Sequence, residues 1–226
     1  MNNIDEELIT TEAVSFLSKN EVDVQVLRLD KIHPVISGNK WFKLKNHLQN
    51  AKGNDKPIVT FGGAFSNHIV ATAAACAHFN LQCFGLIRGE EPLTYSHTLD
   101  TATQYGMQLI FLSREAYRAR RLPEPFNTEA CYVIPEGGYS PEGAAGAATI
   151  PYNKEMFDLI ACAVGTGTMM AGLINGNMKA QVIGFSALKN HMGLETEVRQ
   201  LLTDTSQRVN INHQFHTLCL VQEKTL

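Results

Sequence analysis

The sequence lacks an excess of one charge, a long apolar run and a basic N-terminal leader. Charged residues make up 18% of its 226 residues and the net charge is -3, which argues against a surface for nucleic acid or anionic membrane. No apolar stretch approaches the length of a membrane span, and the N-terminus MNNIDEELITTEAVSFL is acidic. We therefore expect a cytoplasmic protein that binds a small molecule, with no nucleic acid and no membrane as partner.

Close cysteine pairs are also missing. The five cysteines are odd in number and form no C-x-x-C motif. Most of them lie in apolar runs, so we interpret them as reduced, buried thiols of a cytosolic protein: Cys76, Cys83, Cys131, Cys162 and Cys219. The eight histidines are scattered along the chain, so no metal site is predicted.

The sequence does contain apolar material in a regular alternation. Hydrophobic residues make up 44%, and short runs rich in Val, Ile and Phe alternate with helical patterns. This predicts an α/β fold with open, mostly parallel twisted sheets and helices on both faces. The predicted strands are Val22–Leu29, Pro57–Phe61, Gln82–Ile87, Gln108–Leu112, Cys131–Ile134, Asp158–Val164 and Gln181–Phe185. The predicted helices begin near Asn39, at Ser66 or Asn67 and after Gly167, with weaker patterns over Tyr95–Tyr105 and Leu194–Leu202.

Three loops that lead into a helix carry glycine beside polar side chains, and ligands of open α/β sheets bind at the carboxyl ends of strands. The first loop, Ser37-Gly38-Asn39-Lys40, places a lysine in the first turn of a helix. The positive end of the helix dipole disfavours a cation there, so the pKa of Lys40 should be lowered, as an amine nucleophile requires. The alternative is that Lys40 is one solvated charge beside Lys43 and Lys45.

The second loop is Gly62-Gly63-Ala64-Phe65-Ser66-Asn67-His68, between a strand and a helix of small residues. Ser66 or Asn67 can cap this helix, and the exposed N–H groups at its start favour an anion such as a carboxylate. The alternative is a plain helix cap, with His68 as a partly buried helix residue.

The third loop, Gly165-Thr166-Gly167-Thr168, follows a buried strand and opens a helix. Its N–H groups, its two hydroxyls and the helix dipole suit a phosphate. The spacing is not G-x-G-x-x-G, no G-K-[ST] is present, and no acidic residue ends Gln181–Phe185, so a monophosphate is favoured over a dinucleotide or a nucleoside triphosphate. The alternative is a tight turn in which glycine serves only close packing.

A lysine, a Ser-Asn pair and a phosphate loop together match pyridoxal 5'-phosphate (PLP), which has an aldehyde, a phenolic oxygen and a phosphate. Four segments also resemble a known family. S-G-N-K-W-F-K-L resembles its G-G-N-K-x-R-K-L around the Schiff-base lysine, and G-G-A-F-S-N-H resembles its G-x-x-S-N-[HQ] loop. A-V-G-T-G-T-M-M-A-G-L resembles its phosphate loop, and V-I-P-E-G-G-Y-S resembles its I-P-x-G-G-S motif. The family is that of 1-aminocyclopropane-1-carboxylate deaminase and D-cysteine desulfhydrase, PLP enzymes of the tryptophan synthase β-like fold (fold type II).

The resemblance implies a role for each site residue. Lys40 would be catalytic and carry the aldimine, and Asn67 would bond the phenolic oxygen. Ser66 would act on the substrate or meet its carboxylate, and Asn67 and His68 would also contact the substrate. The PLP phosphate would be bound by Gly165, Thr166, Gly167 and Thr168.

The resemblance also implies a domain arrangement and a homodimer. A small α/β domain, residues 56–153, would be inserted into a large PLP-binding domain formed by 1–55 and 154–226.

Two features depart from the family pattern. Phe42 stands where the family usually has arginine. The tail Gln214–Leu226 matches neither the family's substrate tyrosine nor its side chain facing the pyridine nitrogen, so we expect a member that is truncated, with an incomplete fold, at the C-terminus.

The predicted function is that of a PLP-dependent lyase or deaminase acting on a small amino acid. The sequence leaves the substrate open between D-cysteine and 1-aminocyclopropane-1-carboxylate, with a lean toward the desulfhydrase because His68 follows Asn67. Two alternatives also stay open. One is a PLP-binding homologue whose catalysis is impaired by truncation, and the other is an α/β phosphate-binding module without PLP.

Overall fold

The computed structural model describes residues 4–18, 21–176, 179–189 and 191–213. Contacts divide the chain after Glu136 into unit 1 (Met1–Glu136) and unit 2 (Gly137–Leu226), each compact in itself. The segment 214–226, on which the expected truncation rests, and Cys219 within it lie outside the described residues.

Unit 1 contains a parallel sheet and a short hairpin. In the hairpin, Thr11–Ala13 (β1) pairs antiparallel with Gln25–Leu27 (β2). The parallel sheet has the strand order β5-β4-β3-β6 and consists of Ile58–Gly62 (β3), Cys83–Arg88 (β4), Gln108–Leu112 (β5) and Tyr132–Ile134 (β6). β3 is buried at every position, because it lies between two strands and is covered on both faces, and this explains its continuous apolar run.

Helices cover both faces of this sheet. They are Asn39–Gly53 (α1), Asn67–His78 (α2), His97–Gln104 (α3) and Arg114–Arg118 (α4). Buried residues of α1, α2 and α3 form one core with Ile58 of β3. Tyr117 of α4 belongs to a second core with Val59 and Phe61. Successive residues of a strand point to opposite faces, so Ile58 and Val59 belong to different cores.

Unit 2 contains a second parallel sheet, of order β7-β8-β9. Its strands are Leu159–Val164 (β7), Gln181–Ser186 (β8) and Asn210–Asn212 (β9), and its helices are Pro141–Ala147 (α5), Thr168–Gly176 (α6) and Leu194–Gln200 (α7). Small residues let α5 and α6 approach closely, because a methyl group on Gly172 would lie 2.3 Å from Cβ of Ala147. Within the described ranges, no helix has the length and apolar character of a membrane span.

The predicted α/β class with mostly parallel sheets is confirmed. The structure differs from the prediction in the bounds of one strand and in several short elements. The run Val22–Leu29 is predicted as one strand, but the strand covers only Gln25–Leu27, which pairs in the antiparallel hairpin. Its partner β1 and the edge strand β9 are three residues long, too short for a periodic signal. The sequence also does not predict the short helix α4.

The division of the chain differs from the predicted domain boundaries. Residues 1–55 group with 56–136, because Leu44 and Leu48 of α1 share a core with Ile69 of α2. The boundary after Glu136 also precedes the predicted one after Asn153. The insertion of a small domain into a larger one stays a prediction.

Candidate active site

Lys40 has no carboxylate partner among the residues that the structure describes. Gly38, with φ of +65°, turns the chain into α1, and Lys40 is the second residue of that helix. Its Nζ lies 3.1 Å from Asn39 Oδ1, and burial lowers the pKa of its amine. Lys45, by contrast, lies 3.5 Å from a carboxylate oxygen of Glu6. These contacts favour Lys40 as a site residue over a solvated charge.

Lys40 and Asn67 line one cavity of unit 1, with a volume of about 340 Å³. They stand at the starts of α1 and α2, so the structure brings together two predicted site residues from separate loops. The cavity also has residues that sequence reasoning missed, His97, Thr98 and Thr101 of α3. They belong to no motif, because their place at the cavity results from the packing of α3 on α2.

Ser66 precedes α2 without capping it. Its side chain makes no capping hydrogen bond and is half-buried, so its hydroxyl can bind a ligand. The loop is tight here, because a methyl group on Gly62 would lie 2.4 Å from Cγ1 of Ile69. Ser66 is not among the residues that line the Lys40 cavity, and its catalytic and substrate-binding roles stay predictions.

His68 is a buried residue of α2, only 3% exposed. Thr60 Oγ1 donates its hydrogen to the Ile134 carbonyl oxygen at 2.9 Å, so it accepts a hydrogen bond from His68 Nε2, also 2.9 Å away. The proton of the neutral ring therefore lies on Nε2, and the buried Nδ1 has no hydrogen-bond partner among the residues that the structure describes. The pKa of His68 is lowered to about 3 by burial and by the nearby charges of Lys40, Lys43 and His47.

The position of His68 favours the alternative of a buried helix residue. The side chain lies in the core and is not among the residues lining the Lys40 cavity. Its predicted contact with substrate stays a prediction.

In unit 2, the predicted phosphate loop joins β7 to α6. Thr168, the first residue of α6, is fully buried, and its Oγ1 lies 3.1 Å from Thr166 Oγ1. Gly167 has φ of +81°. A methyl group on Gly165 would meet no atom within 4 Å, so the backbone here faces open space. N–H groups at the start of α6 and an open glycine backbone suit an oxyanion.

A glycine turn at the start of unit 2, Gly137-Gly138, lies against this loop. Gly137 and Gly138 both have positive φ, and a methyl group on Gly137 would lie 2.7 Å from Cγ2 of Thr166. Two motifs that are separate in sequence therefore adjoin within unit 2. Ser140 then caps α5, because its Oγ accepts a hydrogen bond from Gly143 N at 3.0 Å.

Each unit, taken by itself, fits the part of PLP predicted for it. Unit 1 offers a partly buried amine of lowered pKa in a cavity that Asn67 also lines. Unit 2 offers a helix start, threonine hydroxyls and a glycine backbone open to a phosphate. Across the described residues, no group of three histidine, cysteine or acidic side chains is arranged to hold a metal ion.

Comparison with known proteins agrees with this fit. The model of the family described as pyridoxal-phosphate dependent enzyme matches residues 8–217. A putative 1-aminocyclopropane-1-carboxylate deaminase of Thermotoga maritima is 36% identical over 171 residues, 68% of this chain and 54% of the relative. A D-cysteine desulfhydrase of Yersinia enterocolitica is 27% identical over 194 residues, 79% of this chain and 54% of the relative.

A solved structure shares the fold. The crystal structure of an ACC deaminase homologue superposes with a TM-score of 0.76 at 25% identity, covering 92% of this chain and 71% of that one. The chain spans about half the length of the curated relatives it matches, 54% in both cases above. The family model covers nearly the whole chain, and the chain therefore belongs to the pyridoxal-phosphate dependent enzymes.

Proposed function

We propose that the protein is a PLP-dependent lyase or deaminase of small amino acids, with Lys40 as the lysine that holds the cofactor. The observation that carries the proposal is the Lys40 amine, which is partly buried, has a lowered pKa and shares a cavity with Asn67. The names of the relatives support either D-cysteine or 1-aminocyclopropane-1-carboxylate as substrate.

Bound PLP supplies an electron sink that stabilises negative charge on the substrate carbon next to its amino group. Lys40 Nζ would hold the cofactor through its aldehyde, and the lowered pKa of its amine favours the neutral form that can accept a proton. In this proposal the Asn67 amide would donate to the ring oxygen, and the Ser66 hydroxyl would meet the substrate carboxylate.

The two candidate substrates give different products. D-cysteine and water would give pyruvate, ammonia and hydrogen sulfide, whereas the cyclopropane amino acid and water would give 2-oxobutanoate and ammonia. We also infer a homodimer in the cytoplasm, on the family resemblance alone.

The test identifies the residue that binds the cofactor covalently. The purified protein is incubated with PLP, its visible absorption recorded, the link reduced with borohydride and the labelled peptide identified. We expect the label on Lys40, its loss in Lys40→Ala and its retention in Lys45→Ala, a matched change in the same helix. A label elsewhere would contradict the assignment of Lys40.

Keto-acid and sulfide assays then separate the functions. Sulfide with pyruvate would support the desulfhydrase, and 2-oxobutanoate the deaminase. A labelled Lys40 without either product would contradict turnover and leave a cofactor-binding homologue. No label in folded protein would contradict PLP binding itself.

Gly165→Ala is expected to weaken PLP binding while leaving the fold intact. The new methyl meets no protein atom within 4 Å but occupies the space proposed for the phosphate. Loss of one hydrogen bond to a charged phosphate corresponds to roughly tenfold in Kd. Absorbance titration with PLP measures the effect. Gly193→Ala, which also meets no atom within 4 Å in unit 2, is the control, and equal affinities for the two variants would rule out Gly165 as a phosphate residue.

A further inference from the structure

Unit 1 has a second cavity, of about 730 Å³, whose lining is rich in arginine. It lies at the carboxyl ends of the parallel strands. Gly63 follows β3, Arg88 ends β4, Arg114 follows β5 and Glu136 follows β6. The chain runs from β3 outward to β5 and then returns to the other side of β3 as β6. A crevice at such a reversal of strand order is where open α/β sheets bind ligands.

The charge of this cavity is strongly positive although the whole chain is acidic. Four guanidinium groups and one carboxylate line it, from Arg88, Arg114, Arg118, Arg120 and Glu136. Only one of the four is neutralised, since Arg120 pairs with Glu136 at 2.6 Å. The other three arginines have no ion pair among the residues that the structure describes. Three like charges around one cavity repel each other unless an anion lies between them.

Aromatic rings hold two of these guanidinium groups in place. Arg120 lies 5.3 Å from the ring centre of Phe61 and 5.0 Å from that of Tyr117, and Arg88 lies 5.9 Å from the Tyr117 ring. Tyr117 itself is only 5% exposed, and it packs edge-on against Phe61. A guanidinium that stacks on a ring keeps its N–H edges free for bidentate bonds to an oxyanion.

A buried hydroxyl, that of Tyr117, also lies at this cavity, close to Glu136 and Arg120. The Tyr117 hydroxyl makes no hydrogen bond of acceptable geometry within the described part of the chain, although most buried hydroxyls do. The cavity therefore combines three arginines that have no ion pair in the described ranges, two aromatic rings beneath them and a buried hydroxyl. Its volume is in the range of sites for small molecules and not of a single ion.

We infer that this arginine cavity binds a small polyanion, a molecule with at least two phosphate or carboxylate groups. The three guanidinium groups without an ion pair, Arg88 at the end of β4 and Arg114 and Arg118 at the two ends of α4, favour a ligand with separated negative charges, which an amino-acid substrate with one carboxylate lacks. The site does not include Lys40 or Asn67, which line the cavity described above, although Gly63, Ala64 and Phe65 of the second predicted loop line it. The inference does not rest on the proposed function.

The test measures binding directly. Pyrophosphate and citrate, as phosphate and carboxylate probes, are titrated calorimetrically into the desalted protein, with acetate as a single-charge comparison. We expect one of the two polyanions to bind at one site per chain and acetate to bind at least about tenfold more weakly. Which one binds identifies the ligand as phosphorylated or polycarboxylic.

Arginine variants locate the site. Arg114→Gln and Arg118→Gln should each weaken binding about tenfold, the loss of one charge-assisted hydrogen bond. Arg121→Gln removes the same charge from an exposed neighbour that does not line the cavity, and it should bind like the parent. Thermal melting confirms that each variant is folded.

Three outcomes would overturn the inference: failure of both polyanions to bind, equal binding of acetate, or equal weakening of binding in Arg121→Gln. Binding of Lys40→Ala like the parent would show that the site is separate from the PLP lysine, and its loss there would overturn that separation.

Discussion

Replacing Gly143 by alanine is expected to destabilise unit 2 by about 3 kcal/mol, near the upper end of overpacking costs. The added methyl would lie 2.0 Å from the carbonyl oxygen of Gly138 and 3.1 Å from Cγ2 of Thr168. The first contact is with backbone, which cannot move aside as a flexible side chain can. Either α5 or the turn at Gly138 must shift, and the Ser140 cap on Gly143 N would be lost with it.

Thermal melting measures this effect. For a chain of this size, 3 kcal/mol corresponds to a fall in Tm of roughly 6–12 °C. Gly53→Ala is the control, because Gly53 is also a helix residue and its added methyl meets nothing within 4 Å. This change should be neutral or slightly stabilising. If Gly143→Ala and Gly53→Ala have the same Tm, α5 does not approach the Gly138 turn as closely as described.

Acid is expected to destabilise unit 1 through His68. The pKa of this histidine is about 3 in the folded protein, against 6.5 for a free side chain. Between these values the unfolded chain binds a proton on His68 and the folded chain does not. The free energy of unfolding therefore falls as the pH is lowered from 6.5 toward 3, by up to ~1.4 kcal/mol per pH unit from this residue alone.

His68→Gln removes this dependence and leaves an amide that can still donate to Thr60. Urea unfolding at a series of pH values should give a flatter slope below pH 6.5 for His68→Gln than for the parent. His78→Gln, in the last turn of the same helix and more exposed, should keep the parent's slope. Parallel slopes for all three proteins would show that His68 is protonated in the fold.

The loops of the site are readable from sequence because backbone chemistry sets them. Gly38 and Gly167 have positive φ, and Ser66 stands before a helix start, so residue type alone marks these positions. The physical cause of the lowered Lys40 pKa could not be predicted from the sequence. The sequence suggests the helix dipole, whereas the structure shows burial, which depends on packing by residues distant in sequence.

The tertiary parts of the site had no sequence signal. His97 and Thr98 reach the Lys40 cavity because α3 packs on α2. The arginine cavity assembles Arg88 with Arg114 and Arg118 because β4 and β5 are adjacent and parallel. Neither set forms a sequence motif. The number of residues between two strands depends on the length of the helix that joins them, and it carries no information about ligand binding.

The pairing of β3 with β6 has a consequence for the order of folding. β3 and β4 are joined by one helix, whereas the hydrogen bond from Thr60 to Ile134 spans 74 residues. Closing a long loop costs more chain entropy than closing a short one, so distant strands pair more slowly. β6 is therefore expected to dock last in unit 1. Until it docks, Thr60 lacks the acceptor that orients its hydroxyl toward His68, so the polar core behind the Ser66 loop becomes ordered only in the final step of folding.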